Sequence, residues 1–328
     1  MQEDLPSTCK YDDPDGFVCN EPSNESGYCF WHDKNSAKNH PDIKVQLEDY
    51  AKRGGLLRGI QMARANLIDV NLVKHNSKSG YDLSHSDFYR ANLQNAHLFK
   101  ASFEHGSLMK ADLSHANIHC VNLCNCNLLG TRLANTKIDN VRIGSQVRQE
   151  TEGLIAARHR EHEKMVDLFE QSEEIYRDLR KAAEKQGIFT MAGHFLQKEL
   201  TMRRYQMPKF SLERLISKTV DLFCGYGEDP IRVVLFSLLL IFISAVLYAI
   251  FGIQHGGAIV AVSTTQPVAT NLEAFASCLY YSVVTFTTLG YGDFVPIGFS
   301  RLIAATEAFT GSFTIALFVV VFVKKMTR

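Results

Sequence analysis

Two groups of residues in this chain have the types and spacing to do chemistry. The first is Thr287-Thr288-Leu289-Gly290-Tyr291-Gly292-Asp293. Glycines at alternate positions permit left-handed backbone, and alternating conformations turn successive carbonyls to one side. A strip of carbonyl oxygens coordinates a dehydrated cation, and the Thr288 hydroxyl adds an oxygen at one end. The second group is Cys9, Cys19, Cys29 and His32. Three thiolates and an imidazole match a structural tetrahedral zinc site, and the closing Cys-x2-His suits two ligands from one turn. Unrelated free thiols are the other reading of these cysteines. A disulfide is disfavoured if the segment is cytoplasmic.

The elements that position the glycine-rich stretch are apolar. Ile231–Phe251 and Ile303–Val323 are each about as long as a helix needs to cross roughly 30 Å of hydrocarbon. The segment between them, NLEAFASCLYYSVVTF, reads as a short helix over 272–286. Asn271 is its expected cap and Glu273 an acid in its first turn. A helix too short to span must enter the membrane and come back, with its partly negative end aimed at the membrane centre. Backbone at that depth survives only where protein or an aqueous path satisfies it. An earlier Gly-Tyr-Gly, Gly225–Gly227, ends one helix just before Pro230 opens the next, so it reads as a turn.

Lys and Arg set the orientation. Lys218 and Arg232 precede the first span, and Lys324, Lys325 and Arg328 follow the second. Residues 252–300 contain neither Lys nor Arg. Both termini are therefore expected on the cytoplasmic side of the cell (inner or plasma) membrane. The opening MQEDLPSTCKYDD lacks the apolar core of a signal peptide.

Helix, returning loop, TTLGYGD, helix: residues 230–328 resemble the pore module of the two-span potassium channel family. The resemblance implies a homotetramer that conducts K+, with a first span at 230–252, a selectivity filter at 287–293 and a second span at 300–325. It implies ion binding at Thr288, Leu289, Gly290, Tyr291 and Gly292. Thr287 and Asp293 would support the filter and its outer mouth. Tyr280 and Tyr281 fall where many members carry a Trp pair that cuffs the filter. Val284 falls where some carry a Glu. Gly311 matches the family's hinge glycine, with close helix packing as the other reading. Ile315, Val319 and Val323 would line the pore below it and close it by dewetting. Glu307 is an intramembrane acid that either braces the pore helix through a hydrogen bond or titrates as a proton sensor.

The remaining chain organises around a repeat. From Leu83 to Ile143 an apolar residue recurs every five positions, and a small residue usually sits two before it, as at Ala91, Ala96 and Ala101. Neither helix nor strand has that period. The pattern resembles pentapeptide repeats, which wind into a right-handed quadrilateral β-helix with four units per coil. Leu72 to Leu83 is eleven residues, read as one extra residue bulging near Lys78–Gly80. Some members of that family are acidic DNA mimics. Ten basic against six acidic side chains over 56–145 argue against that role here, and the balanced charge of the whole chain, 35 basic against 35 acidic, gives no field that points to nucleic acid. His85 and His105, one coil apart, form either a solvated column or a metal site. Cys120, Cys124 and Cys126 take their spacing from the repeat.

After Gly144 a charged stretch reads as one long helix to Gln186, and a shorter helix follows Gly187. The pair resembles a tetratricopeptide-like hairpin. SLERLISKTVDLF is amphipathic and is expected to lie along the inner membrane surface. The chain is thus expected to be multidomain. A Cys/His module (1–50) leads into the β-helix (56–145) and a helical hairpin linker (146–207). An interfacial helix and turn (208–229) then precede a tetrameric all-α membrane pore domain (230–328). Homotetramer contacts, membrane lipid and an unknown cytoplasmic ligand or protein are the expected partners. No nucleophile–base set or phosphate-cradling loop is present, so the chain is read as a channel and not an enzyme. A membrane-anchored repeat scaffold with a silent pore is the alternative.

Overall fold

The structure is a computed structural model that describes residues 8–326. The first residues of the Cys/His module and the Arg328 charge lie outside those described. The chain divides into two compact units, with the boundary after Ser211.

The first unit is built on the five-residue period. Parallel bridges join residues one coil apart, from Asp82 with Ser102 through Asn122 with Arg142. The 20-residue offset makes four units per coil. Leu83, Phe88, Leu93 and Leu98 are fully buried, and Ala91, Ala96 and Ala101 fill the small slots beside them. Each unit turns through one residue in left-handed conformation, such as His85, Arg90 or Asn95. The turn closes on a backbone bond such as Ala91 N to Phe88 O at 3.0 Å. Thr131 and Thr136 occupy small slots by donating their hydroxyls to Leu108 O and Leu113 O, each at 2.8 Å. Cys126 is buried in such a slot, whereas Cys120 and Cys124 are half-buried.

The expected one-residue bulge is corrected to six. Asn71 pairs with His97, 26 residues on, but Asp82 pairs with Ser102, 20 on. Eleven residues therefore stand opposite five on the next coil, and most of residues 73–80 loop out into solvent.

Helix α1 (Ile43–Lys52) precedes the repeats and buries Ile43, Leu47, Tyr50 and Ala51. Three helices follow them: α2 (Arg148–Arg158), α3 (His162–Lys185) and α4 (Phe189–Gln206). The single long helix expected from Thr151 onward is broken at Arg160, whose φ is 61°. Nor is the hairpin a linker. Phe169, Ile175, Tyr176, Leu179 and Phe195 belong to the same continuous core as the repeats. Gln186 seals the last coil, accepting from Ile138 N at 3.1 Å and donating to Thr136 O. Buried Glu173 pairs with Arg177 at 2.6 Å and Arg203 at 2.9 Å, which ties α3 to α4.

The second unit begins with α5 (Leu212–Cys224), whose Leu212, Leu215, Ile216 and Leu222 are exposed. Gly225–Gly227 forms a 3-10 turn. Helix α6 (Pro230–Phe251) starts with Pro in its first turn and with the Asp229 carboxylate accepting from Ile231 N at 3.1 Å. Strands β1 (Ile253–His255) and β2 (Ala258–Val260) follow, then α7 (Val268–Phe286), β3 (Phe294–Pro296) and α8 (Ser300–Met326).

Helix α7 begins four residues before the expected start. Asn271 is not its cap but lies inside it. Its amide accepts from Ser263 N at 3.1 Å and donates to Ser263 O at 2.8 Å, which pins the preceding loop. Glu273 consequently falls outside the first turn. At 19 residues and about 28 Å, α7 is too long for its length alone to force a return. The return is fixed by pairing instead. β3, just after the glycine-rich stretch, is antiparallel to β1, with Ile253 opposite Pro296 and His255 opposite Phe294. The chain comes back to the end of α6 that it left. Tyr248, Ala249, Ile253, Cys278, Tyr281, Ile303 and Ala304 form the core where α6, α7 and α8 meet.

Candidate ion-conduction site and metal cluster

Thr287–Asp293 connects the end of α7 to β3. Thr288, Gly290 and Gly292 all have positive φ, at 56°, 58° and 78°. The two glycines adopt this conformation at little cost. Thr288 is β-branched, and for such a residue it is a strained conformation. Its hydroxyl donates to Thr287 O at 2.7 Å, and its amide donates to Thr285 O at 3.0 Å. Three alternate residues in left-handed backbone give the segment a two-residue repeat. Leu289 N donates to Val284 O at 3.0 Å, tying the segment to α7. Thr288, Leu289, Gly290, Tyr291, Gly292 and Asp293 are exposed on the single chain.

The far end is held by a residue that the sequence did not single out. His255 on β1 donates from Nδ1 to the Asp293 carbonyl at 2.9 Å and stacks on Phe294 with ring centres 4.5 Å apart. A lone histidine in a loop gives no signal in the sequence. Tyr280 stands beside Asp293, while Tyr281 is buried against Tyr248 with ring centres 4.8 Å apart.

Glu307 is buried where the three long helices meet. One carboxyl oxygen lies 2.6 Å from the Tyr248 hydroxyl of α6, and the other 2.5 Å from Ser282 Oγ of α7. Ser282 Oγ is also 2.8 Å from Ile241 O. One carboxyl group thus links α8 to both α6 and α7. Neither partner was foreseen, because they lie 59 and 25 residues away in sequence. Gly311 lies inside unbroken α8, where an added Cβ would collide with the Phe286 backbone. That close approach accounts for glycine by packing. Ile315, Val319 and Val323 are exposed along the same helix. Helices α6 and α8 are both long and apolar enough to cross a membrane.

In the first unit Cys9, Cys19, Cys29 and His32 are all buried, and their ligand atoms lie within 4.8 Å of one another. None of the cysteines is in a disulfide. Cys19 and Cys29 sulfurs are 3.8 Å apart, and Cys9 Sγ is 3.7 Å from His32 Nδ1. A tetrahedral ion with bonds of about 2.3 Å to sulfur separates its sulfurs by about that much. His32 Nε2 donates to Arg58 O at 2.8 Å, which fixes the tautomer that leaves the Nδ1 lone pair facing the sulfurs. Burial lowers the His32 imidazole below its usual range and pushes the Cys19 thiol up to about 12. A cation beside the Cys19 sulfur would favour its thiolate. These residues fit a zinc ion.

Asp13, Asp15 and His85 form a second cluster with metal-ligating side chains. The Arg58 guanidinium fills it, bonding Asp13 at 2.5 Å, Asp82 at 2.7 Å and Asp15 as well. His85 stacks on His105 with ring centres 5.3 Å apart.

Comparison with known proteins gives two matches in different parts of the chain. Residues 235–328 match the ion channel family, and residues 79–114 and 107–143 match pentapeptide repeats, eight copies in all. The repeat protein Rfr23 from the cyanobacterium Cyanothece 51142 is 27% identical over 27% of this chain and 63% of its own, with a TM-score of 0.16. The repeat protein alr5209 from Nostoc Pcc 7120 is 26% identical over 28% of this chain and 72% of its own, with a TM-score of 0.18. HetL from Nostoc sp. strain PCC 7120, involved in heterocyst differentiation regulation, is 24% identical over 26% of this chain and 49% of its own, with a TM-score of 0.15. The chain thus spans less than two thirds of the length of Rfr23 and HetL. No curated protein matches the chain. The chain thus joins a run of segments similar to pentapeptide repeats to a C-terminal segment similar to ion channels.

Proposed function

We propose that four copies of this chain surround a K+-selective pore in the cell membrane, with both termini cytoplasmic. The observation that carries the reading is the alternation of left-handed backbone at Thr288, Gly290 and Gly292, in a segment returned to its starting side by β1 and β3. One chain offers one strip of oxygens. Four around an axis offer stacked rings that replace the hydration shell of K+. The exposed Leu289 and Tyr291 on the single chain accord with neighbours that cover them.

Asp293 draws cations to the outer mouth, with Thr287, Tyr280 and Tyr281 behind the filter. The ring of Ile315, Val319 and Val323 supplies the apolar constriction that opens and closes. The exposed apolar face of α5 lies on the inner membrane surface. The first unit, joined to α5 in sequence, biases that constriction in response to a cytoplasmic ligand or protein. One structural zinc per chain is held by Cys9, Cys19, Cys29 and His32.

The test is K+ against Na+ flux from proteoliposomes, with Gly290→Asp as control. Selective K+ flux that the control abolishes supports the pore. If residues 208–328 alone also pass no K+, the pore is silent and the chain is a membrane-anchored scaffold.

A further inference from the structure

A solenoid whose coils touch only their neighbours must have its ends closed. In this chain the first coil, whose bridging positions are Gln61, Asn66 and Asn71, is closed by the Cys/His module. Trp31 O accepts from Gln61 N at 2.8 Å. The Tyr11 ring stacks on His32 at 4.0 Å, and an added Cβ on Gly59 would strike that ring.

Arg58 is the joint between the two. Its carbonyl accepts from His32, and its guanidinium spreads across Asp13 and Asp15, in the loop between Cys9 and Cys19, and Asp82 of the repeats. The ligand-bearing part of the module, Thr8 to Ser36, contains no helix and only two isolated bridges, Thr8 with Pro22 and Asp12 with Val18. Segments that short need a metal or a covalent link to hold a shape.

We propose that the zinc ion is the clasp of the β-helix, and that loading Cys9, Cys19, Cys29 and His32 is what locks Arg58 across the open end of the first coil. The proposal rests on reading the Cys/His cluster as a zinc site. With metal bound, His32 is held on the Arg58 carbonyl and Asp13 is presented to its guanidinium. Without it the module loses its shape and the first coil frays, while coils farther along keep their neighbours.

The test uses the full chain in detergent. Metal analysis should find one zinc per chain. Stripping it with a chelator should speed amide hydrogen exchange over residues 61–72 by about tenfold or more, and leave residues 112–143 within about twofold. Arg58→Gln should keep the zinc yet loosen residues 61–72. Absence of zinc from the purified protein overturns the metal site and the clasp together. Zinc that is present but can be removed with no change over residues 61–72 overturns the clasp alone. So does an Arg58→Gln protein whose first coil exchanges like wild type.

Discussion

The Glu307 brace yields the sharpest test of how the pore segment is held. Glu307→Ala removes the acceptor of the Tyr248 hydroxyl and the contact with Ser282, whereas Ser282 keeps Ile241 O. Hydrogen bonds between membrane helices contribute about 0.6 to 2 kcal/mol each. Two of them amount to about 1.2 to 4 kcal/mol per subunit, or about eightfold to a thousandfold in the population of the correctly held helix. Glu307→Gln keeps the shape, since the amide oxygen accepts from Tyr248 and its NH2 donates to Ser282. Tyr248→Phe breaks one bond only. In liposome flux normalised to assembled protein, Gln should stay within about threefold of wild type. Phe should fall by about 3- to 30-fold and Ala by about eightfold or more. Ala conducting like wild type would refute the brace. Gln failing as badly as Ala would show that the carboxyl acts by its charge or its titration instead.

Two other perturbations follow. Gly311→Ala puts a methyl against the Phe286 backbone. Overpacking of that kind costs about 1 to 3 kcal/mol, so assembled protein and flux should fall together. For Glu173, burial works to raise the pKa, but hydrogen bonds from Arg203, Gln206 and Arg177 outweigh it and hold the carboxylate below its usual range. A depressed folded pKa means stability that is present above the ordinary value near 4.5 and lost as pH falls through the folded one. Protection of α3 and α4, taken as exchange relative to the intrinsic rate at each pH, should therefore hold above the ordinary value near 4.5 and fall as pH drops below it. Glu173→Gln should weaken the hairpin at neutral pH and flatten that dependence.

The features legible in the sequence are those that repeat or accumulate. A five-residue period shows itself in any window, and 20 apolar residues in a row show themselves by length. Alternate glycines at 290 and 292 announce positive φ. Thr288 does not, because its conformation is imposed by the turn off α7. The size of the insertion at residues 73–80 was hidden because register is decided by partners on the next coil. Asn271 looks like a helix cap, yet its amide is used by the loop at Ser263, so α7 extends past it. The three-residue strands β1 and β3 are too short for an alternating pattern, so the pairing that returns the chain left no trace. Arg58 and Glu307 gather partners from distant segments, and only the fold brings those together.

The central claim is that Thr287–Asp293 from four chains selects K+. Its most direct test is the reversal potential of the purified protein in a planar bilayer, with K+ on one side and Na+ on the other. A potential displaced strongly toward the K+ equilibrium value, and currents lost in Gly290→Asp, are the predicted result. Currents that reverse near zero would contradict K+ selectivity.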